Sequence, residues 1–418
     1  MRSVDALLVD MGSSLLPQPI ATTDGISRRV GNITESATLA MDRRARELSA
    51  AGERVISFAA GEPDLPTPPE VVAAAIEACR DPKMHHYTPT AGLPELRAAI
   101  AERTARETGT ELSAANVLVT SGTKQAVAHG FATLLDPGDE VLIPSPYWVT
   151  FPEAVALAGG VPVVVPSDER RGFRVSVEQL QEHLTPRTKA LLFVSPSNPT
   201  GAVYSEAQMA EIGDWATERG LWVASDEIYA RFTYGDARFH SIAAVSPALA
   251  ERTLRFNGLS KSYAMTGWRV GWLIGPEAVV TAATNLHSHV CGNINNVAQR
   301  AALAALSSDT GSVESMRQIF ARRRDAILDG LGTLPGIECL PPDGAFYVFP
   351  SVEGLLGRTI AGRRVETSDQ LAAVFLDEAR VAVVPGEAFG CAGHVRFSYA
   401  LADELLEEGV SRLQQLLS

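Results

Sequence analysis

Between Asn116 and Phe256 the chain repeats one pattern, and that repetition restricts the fold more than any other feature. Short apolar runs, Asn116-Val117-Leu118-Val119-Thr120, Glu140-Val141-Leu142-Ile143-Pro144, Val161-Pro162-Val163-Val164-Val165, Ala190-Leu191-Leu192-Phe193-Val194, Leu221-Trp222-Val223-Ala224 and Thr253-Leu254-Arg255-Phe256, are bounded by turn-forming residues. Helical periodicity follows several of them, in a run to Leu135 and over Phe151 to Ala158, Val177 to His183 and Ser205 to Arg219. A strand with one wet face alternates polar and apolar residues; these runs do not, so both faces are expected to be buried. Such strands alternating with helices predict an α/β fold with a mostly parallel sheet covered on both sides. The binding crevice of such a sheet forms from the loops at the carboxyl ends of its strands. Ser145-Pro146-Tyr147-Trp148, Ser195-Pro196-Ser197-Asn198-Pro199-Thr200-Gly201, Ser225-Asp226-Glu227-Ile228-Tyr229 and Gly258 to Lys261 each follow directly on one of these runs, and so are expected to converge.

On either side of this region the pattern differs. A helix is expected over Ile26 to Ala51, a strand over Val55 to Ala59, a turn at Gly61-Glu62-Pro63-Asp64, and helices over Pro68 to Ala78 and Pro94 to Glu107. After the helical stretches Val297 to Leu306 and Val313 to Leu331, the runs Ile337 to Leu340, Gly344 to Phe349, Val381 to Gly386 and His394 to Ala400 suggest a smaller α/β unit, closed by a helix over Glu404 to Leu417. The boundary between units is expected near Ser308 to Ser312.

With 418 residues, 46% hydrophobic and 20% charged, the chain has the composition of a globular protein with a sizeable interior. Its net charge of −13 disfavours nucleic acid and anionic membrane as partners and leaves small molecules. Cys79, Cys291, Cys339 and Cys391 are dispersed, which suggests neither a disulfide framework nor a zinc site and fits a reducing cytoplasm. In Met1 to Gly25, Asp5 and Asp10 interrupt the apolar Leu7-Leu8-Val9, so this stretch is expected to be an N-terminal extension rather than a secretory signal.

Lys261 is the first candidate for chemistry. Small and hydroxylated neighbours and the nearby Arg269 favour loss of its proton, and the neutral amine is the form that condenses with an aldehyde. Ser121-Gly122-Thr123-Lys124 lies where a strand passes into a helix, an arrangement that aims free N–H groups at a phosphate, although an ordinary helix cap has the same letters. Taken alone, Asp226 reads equally well as a cap, Asn198 as turn chemistry and Trp148 as core.

Taken together, the motifs AGEPD, SGTKQA, SPYW, SPSNPTG, SDEIY, SKSYAMTGWRVG and HVRFSYA, in that order, resemble the class I aminotransferases of the pyridoxal-phosphate fold-type I family, in their bacterial aspartate aminotransferase branch. The resemblance runs from about Ile26 to the last residue. It implies a large domain with a mostly parallel seven-stranded sheet over 71–311, and a smaller α/β domain built from 26–70 and 312–418. It also implies pyridoxal 5'-phosphate carried as a Schiff base on Lys261, with Asp226 paired to the pyridine nitrogen and Tyr229 and Asn198 donating to the phenolic oxygen. Trp148 would stack on the ring, while Gly122, Thr123, Ser260 and Arg269 would cradle the phosphate. Arg396 and the Gly61 backbone would hold the substrate α-carboxylate, and Lys124 a side-chain carboxylate. Tyr87 would reach the phosphate of a neighbouring subunit, which makes a homodimer with shared active sites the expected assembly.

The implied activity is a ping-pong transfer of the amino group of L-aspartate to 2-oxoglutarate. An aromatic, kynurenine-type or secondary-metabolic amino acid, or a lyase reaction on the same scaffold, is the alternative. The chain departs from the family pattern at Cys291-Gly292-Asn293, where Thr-Ser-Asn is usual, and at Gly258, where serine is usual. Near Thr34, some relatives that also accept prephenate carry a lysine, so that activity is not expected here. His287 and His289 are expected on the pocket wall or the surface, not on a metal.

Overall fold

The structure, a computed structural model, describes residues 25–308 and 311–418. Almost all of the stretch expected to be an N-terminal extension therefore lies outside the described residues, as do positions 309 and 310 of the expected boundary. The apolar runs form β1 (Val117–Thr120), β2 (Glu140–Ser145), β3 (Val161–Pro166), β4 (Thr188–Val194), β5 (Trp222–Asp226) and β6 (Thr253–Gly258). A further strand, β7 (Gly271–Ile274), completes a seven-stranded sheet in the order β1-β7-β6-β5-β4-β2-β3. β2 to β6 pair in parallel, and only β7 runs antiparallel to both its neighbours.

The uninterrupted apolar character of the runs follows from the two cores they serve. Val117 and Val119 of β1 face one cluster with Ile100 and Ala301, while Leu118 between them faces another with Val127 and Phe131. Each such side chain buried in full stabilises the fold by about 1.5–3 kcal/mol. Pro162 and Pro166 fall on β3, the edge strand, where a missing N–H costs no ladder bond.

The segments on either side of the sheet meet in a third core that holds Ile56, Phe58, Phe320, Phe346, Phe375 and Phe397. Ile56–Ser57 pairs in parallel with Val381–Ala382, and the Phe58 and Phe397 rings meet edge to face at 5.4 Å. Residues Val384–Pro385, Val395–Ser398 and Tyr347–Val348 form an antiparallel sheet in that spatial order.

Two expectations need correction. The single helix over Ile26 to Ala51 is instead a short helix, Arg28–Gly31, followed by α1, Ala37–Ala50. Ser36 adopts φ −60 and ψ 120, outside the helical region, and Thr34 Oγ1 donates to Glu153 at 3.4 Å, so the chain between is drawn to another element. The strand expected over Val55 to Ala59 is ladder-paired only at Ile56–Ser57.

Candidate active site

Helix α2 (Thr123–Leu134) starts directly after β1, and its first turn stands near the carboxyl ends of β5 and β6. These ends, together with α1 and the C-terminal unit, enclose a cleft of about 530 Å³. Gly61, Thr123, Lys124, Trp148, Asn198, Asp226, Tyr229, Ser260, Lys261, Arg269 and Arg396 all line it.

Lys261 follows β6, and its Nζ donates to the Gly61 carbonyl at 2.6 Å. Burial pushes its pKa down to about 8; Glu62 opposes this, and the positive charges of Arg396 and Arg269 add to it. Asp226, at the end of β5, is only 4% exposed, and its Oδ1 accepts the Ile228 N–H at 3.0 Å. Burial lifts its carboxyl to about 7, and the adjacent Glu227 charge raises it further. The cleft thus holds an amine inclined to be neutral and a carboxyl inclined to keep a proton, the pattern in which acid and base roles are found.

Arg396 is fully buried. Its guanidinium donates to Asn198 Oδ1 at 3.0 Å and to the Ala59 carbonyl at 2.7 Å, and it lies over the rings of Tyr347 (4.6 Å) and Phe389 (5.1 Å). Its Nε is buried without a partner, a donor that a carboxylate would satisfy. The Tyr229 and Tyr347 hydroxyls are hydrogen-bonded at 2.7 Å, and burial holds both well protonated.

At the α2 end of the cleft no side chain caps the helix, so its first-turn N–H groups are available to an anion. Gly122 has φ +76, and a Cβ there would stand 2.3 Å from an Arg269 nitrogen, so only glycine lets that guanidinium approach the helix start. Arg269 also donates to the Thr266 carbonyl at 2.9 Å. Thr123 Oγ1 donates to the Asn257 carbonyl at 3.0 Å, and a Cβ at Gly258 would meet that same hydroxyl at 2.8 Å. Trp148 stands 5.1 Å from Lys124 Nζ, and burial followed by the Arg269 charge lowers the lysine's pKa.

Two expected site residues do not line the cleft: Gly122, which sits behind it against the Arg269 guanidinium, and Tyr87, which is 96% exposed. His287 is neither on the pocket wall nor at the surface, as sequence suggested. It is fully buried, with Nδ1 3.0 Å from Nε2 of His129, because its helix turns that face into the core under the sheet. Cys291 and His289 are exposed. Among the described residues no group of three or more His, Cys, Asp or Glu is placed to hold a metal ion. Tyr347 and Glu62 line the cleft although sequence reasoning did not single them out, as do Ser36, Thr38, Leu39, Asp42 and Arg46 from and just before α1.

The donor set suits a phosphorylated pyridine aldehyde. An amine of lowered pKa, a buried carboxyl for a ring nitrogen, an uncapped helix start beside a guanidinium, and an indole all open into one cavity.

The sequence matches the model of the family described as aminotransferase class I and II over residues 53–413. It is 60% identical over 393 residues to the aspartate aminotransferase of Streptomyces avermitilis, covering 94% of this chain and 96% of that protein. The figures for the aspartate aminotransferase of Geobacillus stearothermophilus are 45% identity over 392 residues, 94% and 98%. Among solved structures, the aspartate aminotransferase from Rhizobium meliloti superposes with a TM-score of 0.91 at 36% identity, covering 94% of this chain and 99% of that one. The Thermus thermophilus enzyme with maleate gives 0.89 at 40% identity, covering 94% and 100%. The chain is a fold-type I enzyme and belongs to the class I and II aminotransferases.

Proposed function

We propose that this aminotransferase binds pyridoxal 5'-phosphate on Lys261 and moves the amino group of L-aspartate to 2-oxoglutarate, working as a cytoplasmic homodimer. The observation that carries the reading is the convergence on one cleft of the Lys261 amine, the Asp226 carboxyl and the buried Arg396 with its unsatisfied Nε. When bound, the cofactor supplies an aldehyde that takes up amines and a ring that accepts the electron pair left when a Cα–H bond breaks.

The chain's own residues do the rest. Asp226 would hold a proton at the ring nitrogen, and Tyr229 and Asn198 would donate to the phenolic oxygen. Gly122, Thr123, Ser260 and Arg269 would hold the phosphate. Arg396 grips the α-carboxylate and so fixes the direction of the Cα–H bond, with Gly61 beside it. Lys261 Nζ, inclined by burial to be neutral, would hold the aldehyde and, whenever the substrate's amine takes its place there, would be the free amine beside the Cα–H bond, able to take the α-proton and return it. Trp148 would exclude water from one side of the ring, and Lys124 would meet the second carboxylate of a dicarboxylic substrate. A dicarboxylate, maleate, occupies the related Thermus thermophilus structure.

Tyr87, a large aromatic at 96% exposure, supports assembly with a second copy whose cofactor phosphate it would reach. A cytoplasmic site fits the four free cysteines and the absence, among the described residues, of any helix long and apolar enough to cross a membrane.

The test is spectroscopic and chemical. Purified protein is expected to show the visible absorption of lysine-bound pyridoxal, lose it with aspartate and regain it with 2-oxoglutarate. Borohydride reduction and peptide mapping should place the label at Lys261; a label elsewhere, or none, overturns the reading.

A further inference from the structure

On the face of the sheet opposite Asp226 lies a second buried carboxylate that the chemistry above does not use. Glu227 is 4% exposed, and its Oε1 accepts hydrogen bonds from Ser241 Oγ at 2.6 Å and Ser225 Oγ at 3.2 Å. The strand ladder extends to it, since its N–H donates to the Phe256 carbonyl at 2.9 Å. Side chains two apart on a strand share a face, and Ser225 is the register partner of Arg255 on β6. Ser225, Glu227 and Arg255 therefore gather behind the sheet, while Asp226 faces the cleft.

Arg255 is also 4% exposed and donates to the Thr108 and Thr110 hydroxyls at 3.3 Å. Burial raises the Glu227 carboxyl, and the Arg255 charge and the two serines work against that and favour its ionised form. A small cavity of about 40 Å³, lined by polar and apolar groups alike, borders Glu227, Asn257, Ser262 and Trp272, enough by volume for a water molecule. Of the other charged groups on that cavity, Arg103 and Arg231 both pair with Glu107; Arg255, which does not line it, is the cation whose charge acts on Glu227. A buried acid with a buried arginine is a poor device for stability, and it stands directly behind the residue that is to hold a cofactor atom.

We infer that Glu227 is a positioning residue, whose negative charge behind the sheet keeps a proton on the pair formed by Asp226 and the cofactor's pyridine nitrogen. The inference rests on the proposed role of Asp226. A second negative charge makes the shared proton harder to lose; burial holds the Glu227 carboxyl above its usual range, and Arg255 with the two serines opposes that and favours its ionised form.

The experiment measures binding to the cofactor-free protein rather than turnover. Dissociation constants are determined for pyridoxal 5'-phosphate and for its carbocyclic analogue, in which a C–H group replaces the ring nitrogen. Wild type is expected to prefer the nitrogen-bearing form, and Glu227→Gln to reduce that preference roughly tenfold, the order expected for removing one nearby, partly screened charge. A preference that stays constant while both affinities move together marks a structural role only and overturns the inference.

Should Glu227→Gln fail to fold, Arg255→Met removes the compensating cation and lets Glu227 protonate. The same loss of preference is expected, and its absence overturns the inference equally. If wild type shows no preference at all, the role of Asp226 falls, and the inference with it. If wild type shows the preference and both variants keep it, only the role of Glu227 falls.

Discussion

Asp226 should weaken the cofactor-free protein, and the size of the effect follows from its burial. Its carboxyl is lifted from an ordinary 3.8 to about 7, so the folded chain holds this proton more tightly than the unfolded chain does. Stability therefore falls as pH rises through that window, and the whole penalty is present above about pH 7. At about 1.36 kcal/mol per pH unit it reaches roughly 4 kcal/mol. Asparagine has the same shape, keeps an oxygen for the Ile228 N–H and is uncharged at every pH. Asp226→Asn is expected to stabilise the cofactor-free protein by less than about 2 kcal/mol at pH 5 and by roughly 4 kcal/mol at pH 8. Its hold on pyridoxal phosphate should weaken at the same time. Urea unfolding followed by tryptophan fluorescence at both pH values measures the difference. A variant that gains nothing between pH 5 and pH 8, or is less stable than wild type at pH 8, would refute the claim that the fold stores this carboxyl at a cost.

Two further outcomes are expected. Lys124→Ala should lower kcat/KM for aspartate and 2-oxoglutarate about ten- to hundredfold, the range of a lost hydrogen bond to a charged group, and leave that for aromatic amino acids nearly unchanged; steady-state assays across a substrate panel measure it. Burial, and then the neighbouring His287, push His129 down to about 4, so its contribution is intact above pH 6.5 and drains away, by up to roughly 3 kcal/mol, as pH falls toward 4. His129→Gln should flatten that acid limb in thermal melts recorded between pH 4 and pH 7.

Much of the fold was legible because the sheet imposes its burial on the letters. β1 to β6 were readable as apolar runs, each core side chain pushing the sequence toward Val, Ile, Leu or Phe. β7 was not, because Gly271-Trp272-Leu273-Ile274 is short and continues the motif around Lys261, and nothing local distinguishes an antiparallel insertion from the end of a loop. The cleft residues near Asp226 and Lys261 were legible as polar groups at strand ends. Tyr347 was not, because in Phe346-Tyr347-Val348 a tyrosine reads as one more core aromatic, and only the fold brings its hydroxyl to Tyr229. The α1 wall was missed for a related reason: Asp42 and Arg46 look like a solvated helix face, and what they border is set by docking that no local pattern encodes. His287 was misplaced because its partner, His129, lies 158 residues earlier in the chain.

The bond from Arg396 to the Ala59 carbonyl joins residues 337 positions apart and carries a consequence for biosynthesis. A ribosome that has completed the large sheet has made every group of the cleft except Tyr347 and the arginine that is to grip the substrate. That arginine must then settle against a strand emerged long before, and until it does, the β-edge at Ile56 has no mate and Phe58 no ring to meet. Ile56 and Phe58 therefore wait for residues 381 to 397, and a nascent chain stalled before residue 381 exposes them both, an apolar surface of the kind chaperones are built to recognise.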